Sequence, residues 1–188
     1  MMLTNQIPKP LTLEEFLKLP ETKPASEYID GEIEQKPMAQ GKHSIIQIRL
    51  GTAINEVALL PKLAYAFTEL RCTFGRRSIV PDIAVFEWQN IPKDADGSVS
   101  NKFEIPPDWI IEILSPEQST NKIIKKILVC FKHGTKLSWL LDPEDESVTI
   151  FYPDRLPEIK EGDDILPVLS VLSNWQLTSL EMFSWLKL

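Results

Sequence analysis

Residues 107–116 read PDWIIEILSP, and the placement of this stretch decides the fold. Trp109, Ile110, Ile111, Ile113 and Leu114 form an apolar run of strand length, the pattern of a strand covered on both faces. Glu112 stands in the middle of it. A carboxylate withdrawn from water into a sheet is costly unless it is protonated, paired or bound to a cation, so Glu112 needs a partner.

Downstream, STNKIIKKILVCFKHGTK (119–136) puts Ile123, Ile124, Ile127, Leu128 and Phe131 on one helical stripe, with Gly134 as its stop. LSWLLD (137–142) then reads as a strand, and SVTIFY (147–152) as its hairpin partner across the turn PEDE. The helix is thus a crossover between two parallel strands, a connection that is almost always right-handed. Sites in such sheets are built at the strand ends.

Upstream, SIVPDIAVFEW (78–88) and LAYAFTELRCTF (63–74) are two more apolar stretches read as strands. Asp82 poses the same problem as Glu112. Pro81 before it removes a ladder donor and marks an edge or bulge where a sheet opens. The 19-residue loop QNIPKDADGSVSNKFEIPP (89–107) is rich in Pro, Gly and Asp, and its length is that of a functional or mobile flap.

Nearer the N-terminus, Thr12 and Glu15 have capping-box spacing in a short helix ending at Pro20. EYIDGEIEQKP (27–37) carries Asp30–Gly31, a hairpin turn that sets Glu27 and Glu32 on paired strands. From Ser44 to Leu60 the apolar period is helical, closed by Pro61. LTSLEMFSWLKL (177–188) is a last amphipathic helix, whose Phe183 and Trp185 pack on the sheet or on a second subunit. The order helix, hairpin, helix, three strands, helix, two strands, helix describes an α/β protein, read as a single domain over 1–188 with one sheet flanked by helices.

Cys72 and Cys130 have no metal or disulfide spacing, which fits a reducing cytoplasm. No apolar run reaches the ~20 residues that span a bilayer, so no membrane role is expected. The net charge of −7 argues against a protein that coats nucleic acid non-specifically. The charge is uneven, however: five lysines and no acid lie between Gln118 and Leu141, and Arg71, Arg76 and Arg77 precede Asp82. These basic segments flank both buried-type acids. They serve equally well as solvated faces or as phosphate contacts.

Two carboxylates on neighbouring strands at an open sheet end make a hard-oxygen site for Mg²⁺ or Mn²⁺. Isolated acids in strands also pair simply with Arg or Lys, and spacing alone does not separate the two readings. The combination of VPDIAVF (80–86), an acid thirty residues on in PPDWIIEILSP (106–116), SEYIDGEI (26–33), KKILVCFKHGTKLSWLLDPEDESVTIF (125–151) and EMFSW (181–185) resembles the Uma-type family of restriction-endonuclease-like proteins, within the PD-(D/E)XK nucleases.

That resemblance implies a restriction-endonuclease-like fold, a central mixed β-sheet flanked by helices. It also implies a Mg²⁺- or Mn²⁺-dependent endonuclease acting on DNA, with Asp82 and Glu112 as metal ligands and catalytic residues. The signature lysine belongs two places after the second acid, where this chain has Leu114. The family's lysine has moved to the following helix, where Lys126 matches it.

At about 100° per residue, Lys126 lies roughly 130° from the middle of the apolar stripe, on the flank of the core. Glu27 matches a family glutamate and is a third acid for the site or a hairpin carboxylate in solvent. His43 also matches, but an isolated histidine is more often a helix-end or core residue and stays outside the expected site. Arg76, Arg77, Lys122 and Lys125 are the expected DNA-backbone contacts. Lys122 and Cys130 stand where relatives carry an acid and an aromatic. A homodimer is compatible with cleavage of both strands. The alternative is a catalytically silent nuclease fold that binds nucleic acid or a protein; less favoured is hydrolysis of a small phosphoester.

Overall fold

The structure is a computed structural model that describes residues 11–116 and 118–188. Helix α1 (Leu13–Phe16) is closed at its start by the capping box of Thr12 and Glu15. Strands β1 (Ser26–Ile29) and β2 (Glu32–Gln35) pair antiparallel through Asp30 and Gly31, both at positive φ, as a two-residue hairpin turn requires. Helix α2 (Gly41–Ala58) follows and ends just before Pro61.

The two long apolar stretches each break in the middle. The first becomes β3 (Ala64–Thr68) and β4 (Cys72–Phe74), separated at Glu69, whose φ is +51°. The second becomes β5 (Arg77–Ile79) and β6 (Ile83–Glu87), separated at Pro81. Then come β7 (Trp109–Ile113), α3 (Thr120–Lys132), β8 (Leu137–Asp142), β9 (Ser147–Phe151), β10 (Glu158–Lys160) and α4 (Ser179–Ser184).

These breaks create two sheets where the sequence reading expected one. The central sheet is mixed, with order β10-β9-β8-β7-β6-β3, and only β7 and β8 run parallel, joined by α3 as expected. The other sheet is antiparallel, order β2-β1-β5-β4. Each split strand thus serves both sheets, and the kinks at Glu69 and Pro81 carry the chain from one to the other.

Alternation along the strands sorts the core. Ile83, Val85, Trp109 and Ile111 face one side, where Ile46, Leu50 and Ile54 of α2 and Met182 and Phe183 of α4 cover them. Ala84, Phe86 and Ile110 face the other side, against Cys72, Phe74 and Ile79 of the small sheet and Val129 and Cys130 of α3. Ile123 and Ile127 pack on Leu140 and Phe151. Helix α3 is therefore buried along two faces, and Leu128, on the expected stripe, is half exposed instead.

The segment 89–107 does not behave as a free flap. Phe103 is buried against Phe67 and Phe86, and its carbonyl accepts the Thr73 N–H at 2.8 Å. Burying one such side chain is worth about 2 kcal/mol, enough to anchor the middle of the loop. No helix among the described residues is long and apolar enough to cross a membrane.

Candidate functional site

The alternation that places Ile110 against α3 and the small sheet places Glu112 there too, two residues along the same strand. Asp82, just before β6, lies on that face at the end of the sheet. Its Oδ2 accepts the Ile113 N–H at 2.7 Å, which ties the start of β6 to the end of β7 and brings the two acids together. Asp82 and Glu112 are 2% and 1% exposed.

Lys126 reaches the same point from α3. Its ammonium lies 2.9 Å from Glu112 Oε2 and 2.9 and 3.2 Å from the two carboxylate oxygens of Glu27. Glu27, on β1, also accepts the Val80 N–H at 2.7 Å, so the small sheet delivers it to the site in a fixed position. Lys126 is 3% exposed, which corrects the expectation of a residue on the flank of the core. The small sheet covers that flank, and Lys126 shares the covered face with Val129 and Cys130. All four expected catalytic residues, Asp82, Glu112, Lys126 and Glu27, thus converge.

Three more groups complete the constellation. Lys36, just past β2, donates to Asp82 Oδ1 at 2.7 Å and to Glu69 Oε1 at 3.0 Å. His43 Nε2 stands 3.1 Å from Asp82 Oδ2, which makes Nε2 the protonated ring nitrogen. Gln47, one turn further along α2, donates to the Asp82 carbonyl at 2.9 Å and to Glu69 Oε1 at 3.0 Å. Lys36 and Gln47 went unnoticed in the sequence. Nothing local marks Lys36, whereas Gln47 follows His43 at the i, i+4 spacing that puts both on one helix face.

The charges balance poorly. Burial works to raise the Asp82 carboxyl, but the hydrogen bond from His43 and the Lys36 ammonium overcome it and hold it far below the usual range. Burial pushes Glu112 up to about 8, with Asp82 adding to the rise and Lys126 opposing it. Burial also disfavours the charged Lys126, but Glu112, Glu27 and Asp82 raise it above its ordinary value. Lys126 is therefore held as a cation, and burial shifts Glu112 toward its protonated form.

The donor chemistry fits a hard divalent cation. Among the described residues Glu112 Oε1 is buried with no hydrogen-bond partner, and Asp82 Oδ1 faces only the Lys36 ammonium. Among the described residues, no three His, Cys, Asp or Glu side chains gather as a ligand set, so the protein would supply two carboxylates and leave further positions to other oxygens.

The expected DNA contacts divide. Lys122, in the first turn of α3, lines a narrow crevice with Lys36 and Lys126 and pairs with Glu34 at 2.9 Å; Lys125 is exposed on the same helix. Arg76 sits on the β4–β5 turn and Arg77 opens β5, where Gly75 abuts His133 at the far end of α3. Seven residues of helix, about 10 Å, separate His133 from Lys126. Arg77 is paired with Asp30, while Arg76 is exposed. The structure therefore brings Lys122 to the site and sets the two arginines apart from it.

A mixed central sheet with a helical crossover, bearing two acids at adjoining strand ends, is the arrangement of the restriction-endonuclease-like class of fold, here with its lysine on the crossover helix. A family model, Uma2, described as "putative restriction endonuclease", matches residues 13–180, and the chain belongs to that family. It is similar over 94% of its length to 99% of a crystallised chain from Anabaena variabilis described as "a putative nuclease belonging to DUF820", with 53% identity and a TM-score of 0.92. No curated protein matches.

Proposed function

We propose that the protein is a metal-dependent endonuclease that hydrolyses DNA phosphodiester bonds. The observation carrying this reading is the convergence of Asp82, Glu112 and Lys126 on one face of the central sheet. Asp82 and Glu112 would hold Mg²⁺ or Mn²⁺. A cation of that kind polarises a phosphate oxygen and acidifies water.

The chain's own residues do the rest. Glu27 fixes Lys126, whose charge stabilises that developing on the phosphate without any rearrangement. The Ile113 N–H and His43 hold the Asp82 carboxylate in one orientation. Lys122 and Lys125, on the exposed side of α3, would meet the DNA backbone. Family membership supports DNA as the substrate.

The test is plasmid nicking in Mg²⁺ or Mn²⁺ by the wild type, Asp82→Ala, Glu112→Ala and Lys126→Ala. Wild-type cleavage that all three variants lose is the expected result. Wild-type cleavage no greater than that of Asp82→Ala under both metals would sink the reading. Linear plasmid appearing before nicked circles are exhausted would mark a paired assembly cutting both strands. A silent nuclease fold is the second reading, favoured by Leu114, which packs beside α3 where the signature lysine belongs. It predicts DNA binding that survives Asp82→Ala with no cleavage by any form.

A further inference from the structure

The site contains two lysines in different circumstances. Lys126 is enclosed, with three short contacts to two carboxylates that are themselves buried. Lys36 has one buried partner, Asp82, and one half-exposed partner, Glu69. It also lines a cleft of about 230 Å³ with Pro37, Met38, His43, Gln47 and Asp82. Asp82 is therefore approached from solvent past Lys36.

We infer that Lys36 occupies the divalent-cation position beside Asp82 when no metal is present, and becomes the mobile phosphate-contacting lysine of the site when a metal displaces it. Deepening the nuclease reading, this adds to Lys126 a second lysine in contact with substrate, carried by the β2–α2 connection. Two observations support it. The ammonium lies 2.7 Å from Asp82 Oδ1, the only Asp82 carboxylate oxygen engaged by neither backbone N–H nor histidine. A divalent cation bound through that oxygen would stand against the ammonium, and like charges at such a distance repel strongly where water is scarce.

Lys36 also has somewhere to go. Its four-carbon stem is anchored on a connection between β2 and α2, and the cleft before it is open. Lys126 has no such freedom, because leaving its place would strand Glu27 and Glu112 together. The division of labour is a fixed charge from α3 and a movable one from the β2–α2 connection.

The test is Mn²⁺ titration followed by electron paramagnetic resonance, on the full chain, for wild type, Lys36→Met, Lys36→Gln and Lys42→Met. Lys42 is a control that removes an equal charge from an exposed pair with Glu144. Lys36→Met and Lys36→Gln should each bind Mn²⁺ about tenfold more tightly than wild type, with Lys42→Met unchanged. Equal or weaker binding in both Lys36 variants overturns the inference. In plasmid nicking the Lys36 variants should lose at least about tenfold in rate despite tighter metal binding, and undiminished nicking overturns the phosphate contact. If wild type nicks nothing, the nuclease reading and the phosphate contact fall together, while the Mn²⁺ series still decides whether Lys36 holds the cation position.

Discussion

Lys126 meets Glu112 at 2.9 Å through Oε2, while Oε1 of the same carboxylate is buried with no hydrogen-bond donor among the described residues. The pair is thus half-satisfied: one oxygen has a cation, and the other has no protein donor among the described residues. Buried polar atoms left in that condition are costly, and they mark places where a ligand is to be expected.

Removing the lysine should cost more than removing its acid. Lys126→Met leaves Glu27 and Glu112 buried without their shared cation, and should lower the unfolding free energy by about 3–5 kcal/mol. Urea denaturation measures this. Adding Glu112→Gln to Lys126→Met should recover part of the loss, because the two residues touch and their effects do not add. Strictly additive losses would show that the contact contributes nothing.

The pH dependence of stability has a definite sign. Folding raises Glu112 from 4.5 to about 8, so across that interval the folded chain binds a proton that the unfolded chain has released. Stability therefore falls as pH rises from 4.5 to 8, by at most about 1.4 kcal/mol per unit from this group, and levels off above. Asp82 works oppositely: its folded value is depressed, so its contribution is present above 3.8 and is lost as pH falls further. The melting temperature of wild type compared with Glu112→Gln between pH 5 and 8 isolates the first effect. The variant should show the flatter profile.

Divalent metal should reverse that penalty. Mn²⁺ at about 100 times its dissociation constant should stabilise the folded chain by about 2.7 kcal/mol. The gain should be larger at pH 8 than at pH 6, because Glu112 must give up its proton to become a ligand. Thermal melts with and without Mn²⁺ read this directly. Asp82→Ala and Glu112→Ala should each abolish the shift.

Gly75 is a test of packing outside the site. Its φ is +53°, and a Cβ there would run into the His133 imidazole, which is itself held by contact with the Val129 carbonyl. Gly75→Ala should cost about 1–2 kcal/mol in urea denaturation, combining a left-handed backbone with a displaced ring. An alanine variant as stable as wild type would mean that the β4–β5 turn yields freely.

The strands bearing the acids were legible in the sequence because a charge inside an apolar run is a visible contradiction. Asp82 and Glu112 could be singled out on that ground, while Pro81, read as a strand edge or bulge, stands where the chain leaves one sheet for another. The second sheet was not legible. Its creation depends on Glu69 taking a positive φ, and a glutamate carries no local signal for that conformation. Missing that sheet misplaced the buried faces of α3, so Lys126 read as a flank residue although it is enclosed. Lys36 follows a strand whose residues are all exposed and meets Asp82 across 46 positions of sequence. Such a contact follows from tertiary packing, not from any local pattern.

The small sheet has a consequence for how the protein comes into being. Glu27 and Lys126 are 99 residues apart in sequence, and Lys36 and Asp82 are 46 apart, so no single contiguous segment holds the constellation. Loop closure over such separations is slow and comes late. A chain still emerging from synthesis would expose Glu27 and Lys36 long before α3 exists to meet them. The site is therefore assembled only once α3 has packed against both sheets, and whatever chemistry it performs is withheld from any form of the chain in which it has not.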